Sequence, residues 1–116
     1  MSGHIEERKV ALLEQRANLR KEIEALGGDP DSDDAAIDVE RGFADSAHST
    51  AERARALSVM RALRSNLRWV GRALRKIELG TYGTCESCGA AISEERLEAL
   101  PWAILCIGCK AKGEAR

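Results

Sequence analysis

From residue 5 to residue 26 the apolar side chains Ile5, Leu12, Leu19 and Leu26 recur every seven positions, and Ile23 joins the same stripe. Such a repeat predicts a helix with one narrow seam. Gly27, Gly28, Asp29 and Pro30 follow. Glycine suits the left-handed position that closes a helix and proline cannot extend one, so the helix is expected to stop here.

A second series, Met60, Leu63, Leu67, Val70, Leu74 and Ile77, alternates steps of three and four. This is an uninterrupted a/d pattern. Ser49 and Glu52 fit a capping box at its start. Arg75 and Lys76 complement the helix dipole at its end, and Gly80 terminates it. About 30 residues at 1.5 Å each predict a rod of roughly 45 Å. Neither narrow seam is buried by its own helix, and the connection suits an antiparallel pair. The pattern therefore predicts a coiled-coil helical hairpin over residues 1–80, turning over about 27–48, where Ser32 could cap a short helical turn within 32–41.

Composition fits that picture. Of 116 residues, 32% are charged and 3% aromatic, too few large side chains for a thick core. The net charge of −1 hides a sorting along the chain. Residues 29–45 carry Asp29, Asp31, Asp33, Asp34, Asp38, Glu40 and Asp45 against Arg41. Residues 51–79 carry seven arginines and Lys76 against Glu52 and Glu78. Such runs solvate exposed faces, or they place an acidic tip on a basic stalk. No apolar run follows Met1 and none approaches the roughly 20 residues that span a bilayer, so a cytoplasmic protein is expected.

In a reducing compartment, four cysteines in two C-x-x-C pairs point to metal rather than to disulfides. Cys85, Cys88, Cys106 and Cys109 are spaced C-x2-C-x17-C-x2-C. Four thiolates at tetrahedral angles make a closed zinc shell, with no open position to activate water. One structural Zn2+ is therefore expected, in a four-cysteine finger over residues 81–116. Gly83, Gly89 and Gly108 lie where their amides could approach the sulfurs. Ser93 is expected to cap a short helix ending before Pro101, with Leu97, Trp102 and Leu105 packed beneath it. His4 and His48 are not needed as ligands. The fold class predicted is mainly α, a hairpin followed by a small zinc finger.

A dithiol oxidoreductase would place one pair on a strand-to-helix turn, and no strand pattern supports that. A GATA-like finger has the same spacing, and direct DNA binding is the alternative reading. It needs a basic surface, whereas residues 80–116 hold five acids and four bases. No nucleophile, base or phosphate loop predicts an enzyme.

The residues of the finger narrow the choice. Leu79-Gly-Thr-Tyr-Gly-Thr-Cys-Glu-Ser-Cys-Gly89, then Ile92, Arg96-Leu-Glu-Ala99, Pro101 and Leu105-Cys-Ile-Gly-Cys-Lys110 closely resemble the DksA/TraR family of bacterial transcription regulators. The resemblance implies a protein, expected to be monomeric, that binds RNA polymerase and inserts its coiled coil into the secondary channel, with the tip near the active site. The family's tip carries Asp-x-x-Asp-x-Ala. A gapless count from Cys85 puts its second Asp on Asp45 and its Ala on Ala47, while Gly42 occupies the first acidic position. In members that respond to ppGpp, basic residues of the second helix and finger help form its site. Of these positions Lys110 matches, as a polymerase or ppGpp contact. Trp69 and Leu100 occupy the others, and neither pairs with phosphate.

Overall fold

The computed structural model describes residues 4–32, 39 and 49–111. Helix α1 covers Ile5–Ala25, α2 Thr50–Leu79, α3 Glu94–Ala99 and α4 Ile107–Ala111. Two long helices packed together and followed by a four-cysteine cluster make a mainly helical fold, as the sequence pattern predicts. None of the described helices is long and apolar enough to cross a membrane.

The helix ends follow from local chemistry. Ser49 N–H donates to Glu52 Oε1 at 2.8 Å while Glu52 N–H donates to Ser49 Oγ at 3.1 Å, the reciprocal pair of a capping box. Both long helices close in the same way. Gly27 has φ 92°, and Gly28 N–H reaches back to the Ile23 carbonyl at 2.9 Å. Gly80 has φ 78°, and Thr81 N–H reaches the Lys76 carbonyl at 2.9 Å. A side chain in that left-handed position strains the backbone, which is why glycine ends each helix.

The chain divides into two compact units: Met1–Gln15 with Trp69–Arg116, and Arg16–Arg68. In the second unit Ile23, Val39 and Met60 form a buried cluster flanked by Ala56, Leu57, Leu63 and Leu67. Residues late in α1 thus pack on residues early in α2, the antiparallel order of a hairpin. In the first unit Leu12, Val70 and Ala73 are fully buried, and the finger adds Ile92, Leu97, Ala103, Ile104 and Leu105.

The buried stripes differ from the heptad pattern at particular positions. Leu26 is 49% exposed, although it continues the register of Leu12 and Leu19. A straight helix drifts about 20° per heptad, so the Ile5 stripe has turned roughly 60° by Leu26. Leu26 also lies beyond the end of α1, where Gly27 redirects the chain. On α2, Arg64, Ala73 and Lys76 are buried in addition to Met60 and Val70. Ala73 and Lys76 belong to the finger-bearing unit, where α2 has neighbours beyond α1. Long basic side chains bury their stems there and keep their heads solvated or paired. No buried side-chain nitrogen or oxygen lacks a hydrogen-bond partner among the described residues.

Ile23→Ala is expected to cost about 2–5 kcal/mol, as for other buried large-to-small changes. Leu26→Ala, at an exposed site of the same nominal repeat, is expected to change stability by less than about 0.5 kcal/mol. Urea unfolding compares the two, and equal losses would reject this register.

Candidate metal centre

The finger is built from segments too short to hold themselves together: α3 has 6 residues and α4 has 5. Isolated helices of that length do not persist in water. Their order comes from caps, from a small core and from the cysteines. Ser93 Oγ accepts the Arg96 N–H at 3.1 Å and starts α3 as its sequence predicts. Leu97 is 1% exposed and lies under the first cysteine turn, where its Cδ1 would stand 3.6 Å from a Cβ added to Gly83. Leu105 is also buried, and Trp102 is half-buried.

The first cysteine pair lies on a tight hairpin. Thr84 and Ala91 form an antiparallel bridge, Cys85 N–H donates to the Ala90 carbonyl at 2.8 Å, and Ile92 N–H donates to Gly83 at 2.8 Å. Gly83 and Gly89 take φ of 89° and 79° at its ends. The second pair lies at the start of α4, where Lys110 N–H donates to the Cys106 carbonyl at 3.0 Å. Glu86 N–H joins the two halves by donating to Ile104 at 2.9 Å. Arg96 Nε donates to the Leu105 carbonyl at 3.0 Å, and Tyr82 Oη donates to that of Pro101 at 2.8 Å.

These turns bring the sulfurs of Cys85, Cys88, Cys106 and Cys109 within 4.8 Å of one another. Cys88 and Cys106 approach to 3.7 Å. A tetrahedral zinc with Zn–S bonds of about 2.3 Å requires sulfurs about 3.8 Å apart. The donor set and its spacing therefore fit one structural zinc ion. Cys85 and Cys109 are buried, Cys106 is half-buried and Cys88 is exposed.

The backbone prepares the sulfurs for a cation. The Cys106 N–H is the strongest influence on the Cys85 thiol, and with those of Cys88 and Ser87 it outweighs burial and draws the thiol down to about 6. The Cys109 N–H likewise lowers Cys106. Cys109 is different: the Ser87 hydroxyl lowers it, yet burial and the other three sulfurs prevail and push it up to about 12. Clustered sulfurs resist further negative charge unless a metal shares it. The amides that act here are those of Ser87 and the cysteines rather than those of the glycines. Gly89 N–H instead donates to the Cys85 carbonyl at 3.0 Å. Gly108 gives room, since an added Cβ would lie 4.0 Å from Cys106 Sγ.

Around the centre, the finger is tied to both long helices. Arg8 Nη2 of α1 pairs with Glu94 Oε1 at 2.6 Å. Arg72 of α2 pairs with Glu86, between the first two cysteines. Lys110 Nζ lies 5.4 Å from the centroid of the Trp69 ring, which Arg72 also approaches at 5.5 Å. Cations over an indole face are attracted to its electron-rich surface. Lys110 and Trp69, two positions singled out by the family resemblance, are thus brought together, while Leu100 caps α3. No periodicity of the sequence predicts this aromatic–cation contact, whose partners lie 41 positions apart. Asp45, Ala47 and Gly42 lie outside the described residues, as does His48; of the short helix expected within 32–41 only Ser32 and Val39 are described, and Val39 is helical. His4 is exposed and faces Glu7.

Residues 80–115 match the model of the prokaryotic dksA/traR C4-type zinc finger. The RNA polymerase-binding transcription factor DksA of Escherichia coli is 45% identical over 53 residues, which cover 46% of this chain and 35% of that protein. The chain thus spans about a third of the length of such curated relatives. Two solved structures share the fold over nearly the whole chain, each at 24% identity. Transcription factor DksA2 from Pseudomonas aeruginosa has a TM-score of 0.70, covering 97% of this chain and 84% of its own. The RNA polymerase binding protein and transcriptional regulator Dks from Chlamydia trachomatis has a TM-score of 0.59, covering 98% and 91%.

Cys85→Ser is expected to reduce bound zinc from about one ion per chain to a small fraction, read by elemental analysis of the purified protein. Full zinc content in the variant would remove Cys85 from the cluster. Acidification acts in the same direction. A lowered thiol pKa contributes stability that is fully present above the ordinary value of 9.0 and is lost as pH falls through about 6. Zinc affinity measured by chelator competition is therefore expected to weaken steadily on acidification, and a pH-independent affinity would contradict thiolate ligation.

Proposed function

We propose that this chain, whose residues 80–115 match the dksA/traR C4-type zinc finger, is a zinc-containing transcription regulator that binds RNA polymerase. Its hairpin enters the secondary channel of the enzyme, and the tip, with Asp45 and Ala47, lies near the active site and modulates initiation. Cys85, Cys88, Cys106 and Cys109 hold the zinc, and Lys110 serves as a contact of the finger with the polymerase. The single observation that carries this reading is the cluster of four sulfurs within 4.8 Å at the end of a packed helical pair. It is supported by the likeness of the fold to that of two DksA-type regulators.

The chemistry is that of positioning rather than catalysis. Four thiolates fill the coordination of zinc, so the metal orders the finger and activates no water. An acid such as Asp45, delivered near a magnesium-dependent centre, alters the local field and competes for oxygen-liganded cations. Ala47 leaves room for close approach. The response to ppGpp is not part of this reading, since Trp69 and Leu100 stand where phosphate would need cations. The protein acts in the cytoplasm, where the polymerase is.

The full chain, loaded with zinc, is expected to co-purify with RNA polymerase and to alter initiation in reconstituted transcription. Failure on both counts would reject the reading. Asp45→Asn is expected to remove most of the transcriptional effect while polymerase binding is retained. An unchanged effect would reduce Asp45 to an exposed loop acid. A sequence-dependent mobility shift with duplex DNA alone, weakening with salt, would favour the DNA-binding alternative.

A further inference from the structure

The chain leaves α1 toward its acidic segment through a turn that is braced on several sides. Asp31 N–H donates to Asp29 Oδ1 at 3.0 Å, and Ser32 N–H donates to the Asp29 carbonyl at 2.9 Å. Arg20 of α1 pairs with Asp31 at 3.0 Å. These bonds shape the turn and hold it to the helix it has just left. Arg64 attaches it to α2. The guanidinium donates through Nη1 to the Ser32 carbonyl and through Nη2 to the Asp29 carbonyl at 2.6 Å.

Arg64 is 4% exposed, on the same side of α2 as Met60 and Leu67. Burying a guanidinium here is costly unless its donors are satisfied, and an apolar residue of similar volume would often serve stability as well or better. What an arginine adds is a flat fork with fixed donor spacing, able to grip two carbonyls at once. A lysine offers one point charge and cannot do this. Both acceptors are main-chain atoms, so the grip fixes the path of the backbone rather than the placement of one side chain. Val39, buried against Ile23 and Met60, holds the chain again a few residues on.

We propose that Arg64 is a positioning residue: by gripping the carbonyls of Asp29 and Ser32, it fixes the course on which the chain sets out toward Asp45. It thereby governs the effect on transcription without contributing to polymerase affinity. This deepens the regulator reading above and rests on it.

The test uses the full-length, zinc-loaded protein and two variants. Arg64→Lys keeps the charge, and Arg64→Met keeps the stem without the fork. Amide exchange at Asp31 and Ser32, polymerase affinity, thermal stability and the change in initiation are measured side by side, with Asp45→Asn as the reference for a lost tip. Both variants are expected to speed exchange at Ser32 about tenfold or more, as a locally opened turn does. They are also expected to lose most of the transcriptional effect while keeping polymerase affinity, and Arg64→Lys is expected not to rescue. Unchanged exchange would overturn the grip itself. Faster exchange with a full transcriptional effect would overturn its role. Parallel losses of stability, affinity and effect would mark Arg64 as structural only and overturn the proposal. If Asp45→Asn loses the effect and the Arg64 variants keep it, positioning fails and the regulator reading stands. If the unmodified protein leaves transcription unchanged, the regulator reading fails and this inference falls with it.

Discussion

Four thiolates brought within 4.8 Å of one another repel strongly, and the finger depends on a divalent cation to reverse that repulsion. Much else in its unit follows from this. Helices of 6 and 5 residues cannot order themselves, and the buried apolar set around Leu97 and Ile104 is small. With the sulfurs joined, Glu86 and Lys110 are fixed beside α2 and Glu94 beside α1. The contacts with Arg72, Trp69 and Arg8 then connect rigid partners rather than loose loops. A surface ion pair between mobile groups contributes little, whereas one between prepositioned groups avoids much of the ordering cost.

Much of the fold was legible because the sequence carries signals with local causes. The Ser49–Glu52 box, the Ser93 cap, the glycines after each long helix and the doubled C-x-x-C act within a few residues of themselves. Their geometry can be written down before any tertiary contact is known. The cysteine cluster was legible for the added reason that metal chemistry restricts the ligands so tightly.

What escaped the sequence is of the opposite kind. Leu26 left the stripe because a small angular drift accumulates along α1 and the glycine cap then turns the chain. The meeting of Lys110 with Trp69 depends on how the finger folds back, which no periodicity encodes. Arg64 is the clearest example. Arginine in an a/d helix reads as a solvated neighbour of the seam, yet here it is buried with backbone carbonyls as acceptors. Main-chain acceptors occur at every residue and leave no mark in the sequence.

The contact between Trp69 and Lys110 also gives the protein an optical property of its own. The chain has two tryptophans, Trp69 and Trp102, and both belong to the unit that contains the cysteine cluster. Lys110 follows Cys109 directly, so the cluster that orders α4 also orders one of the two cations near the Trp69 ring, the other being Arg72 of α2. Indole emission responds to nearby charge and to solvent, and at Trp69 one of the nearby charges sits beside a cluster cysteine. The emission of the unlabelled protein is therefore expected to follow zinc loading through Trp69 and Trp102, since Arg16–Arg68 contains no indole of its own.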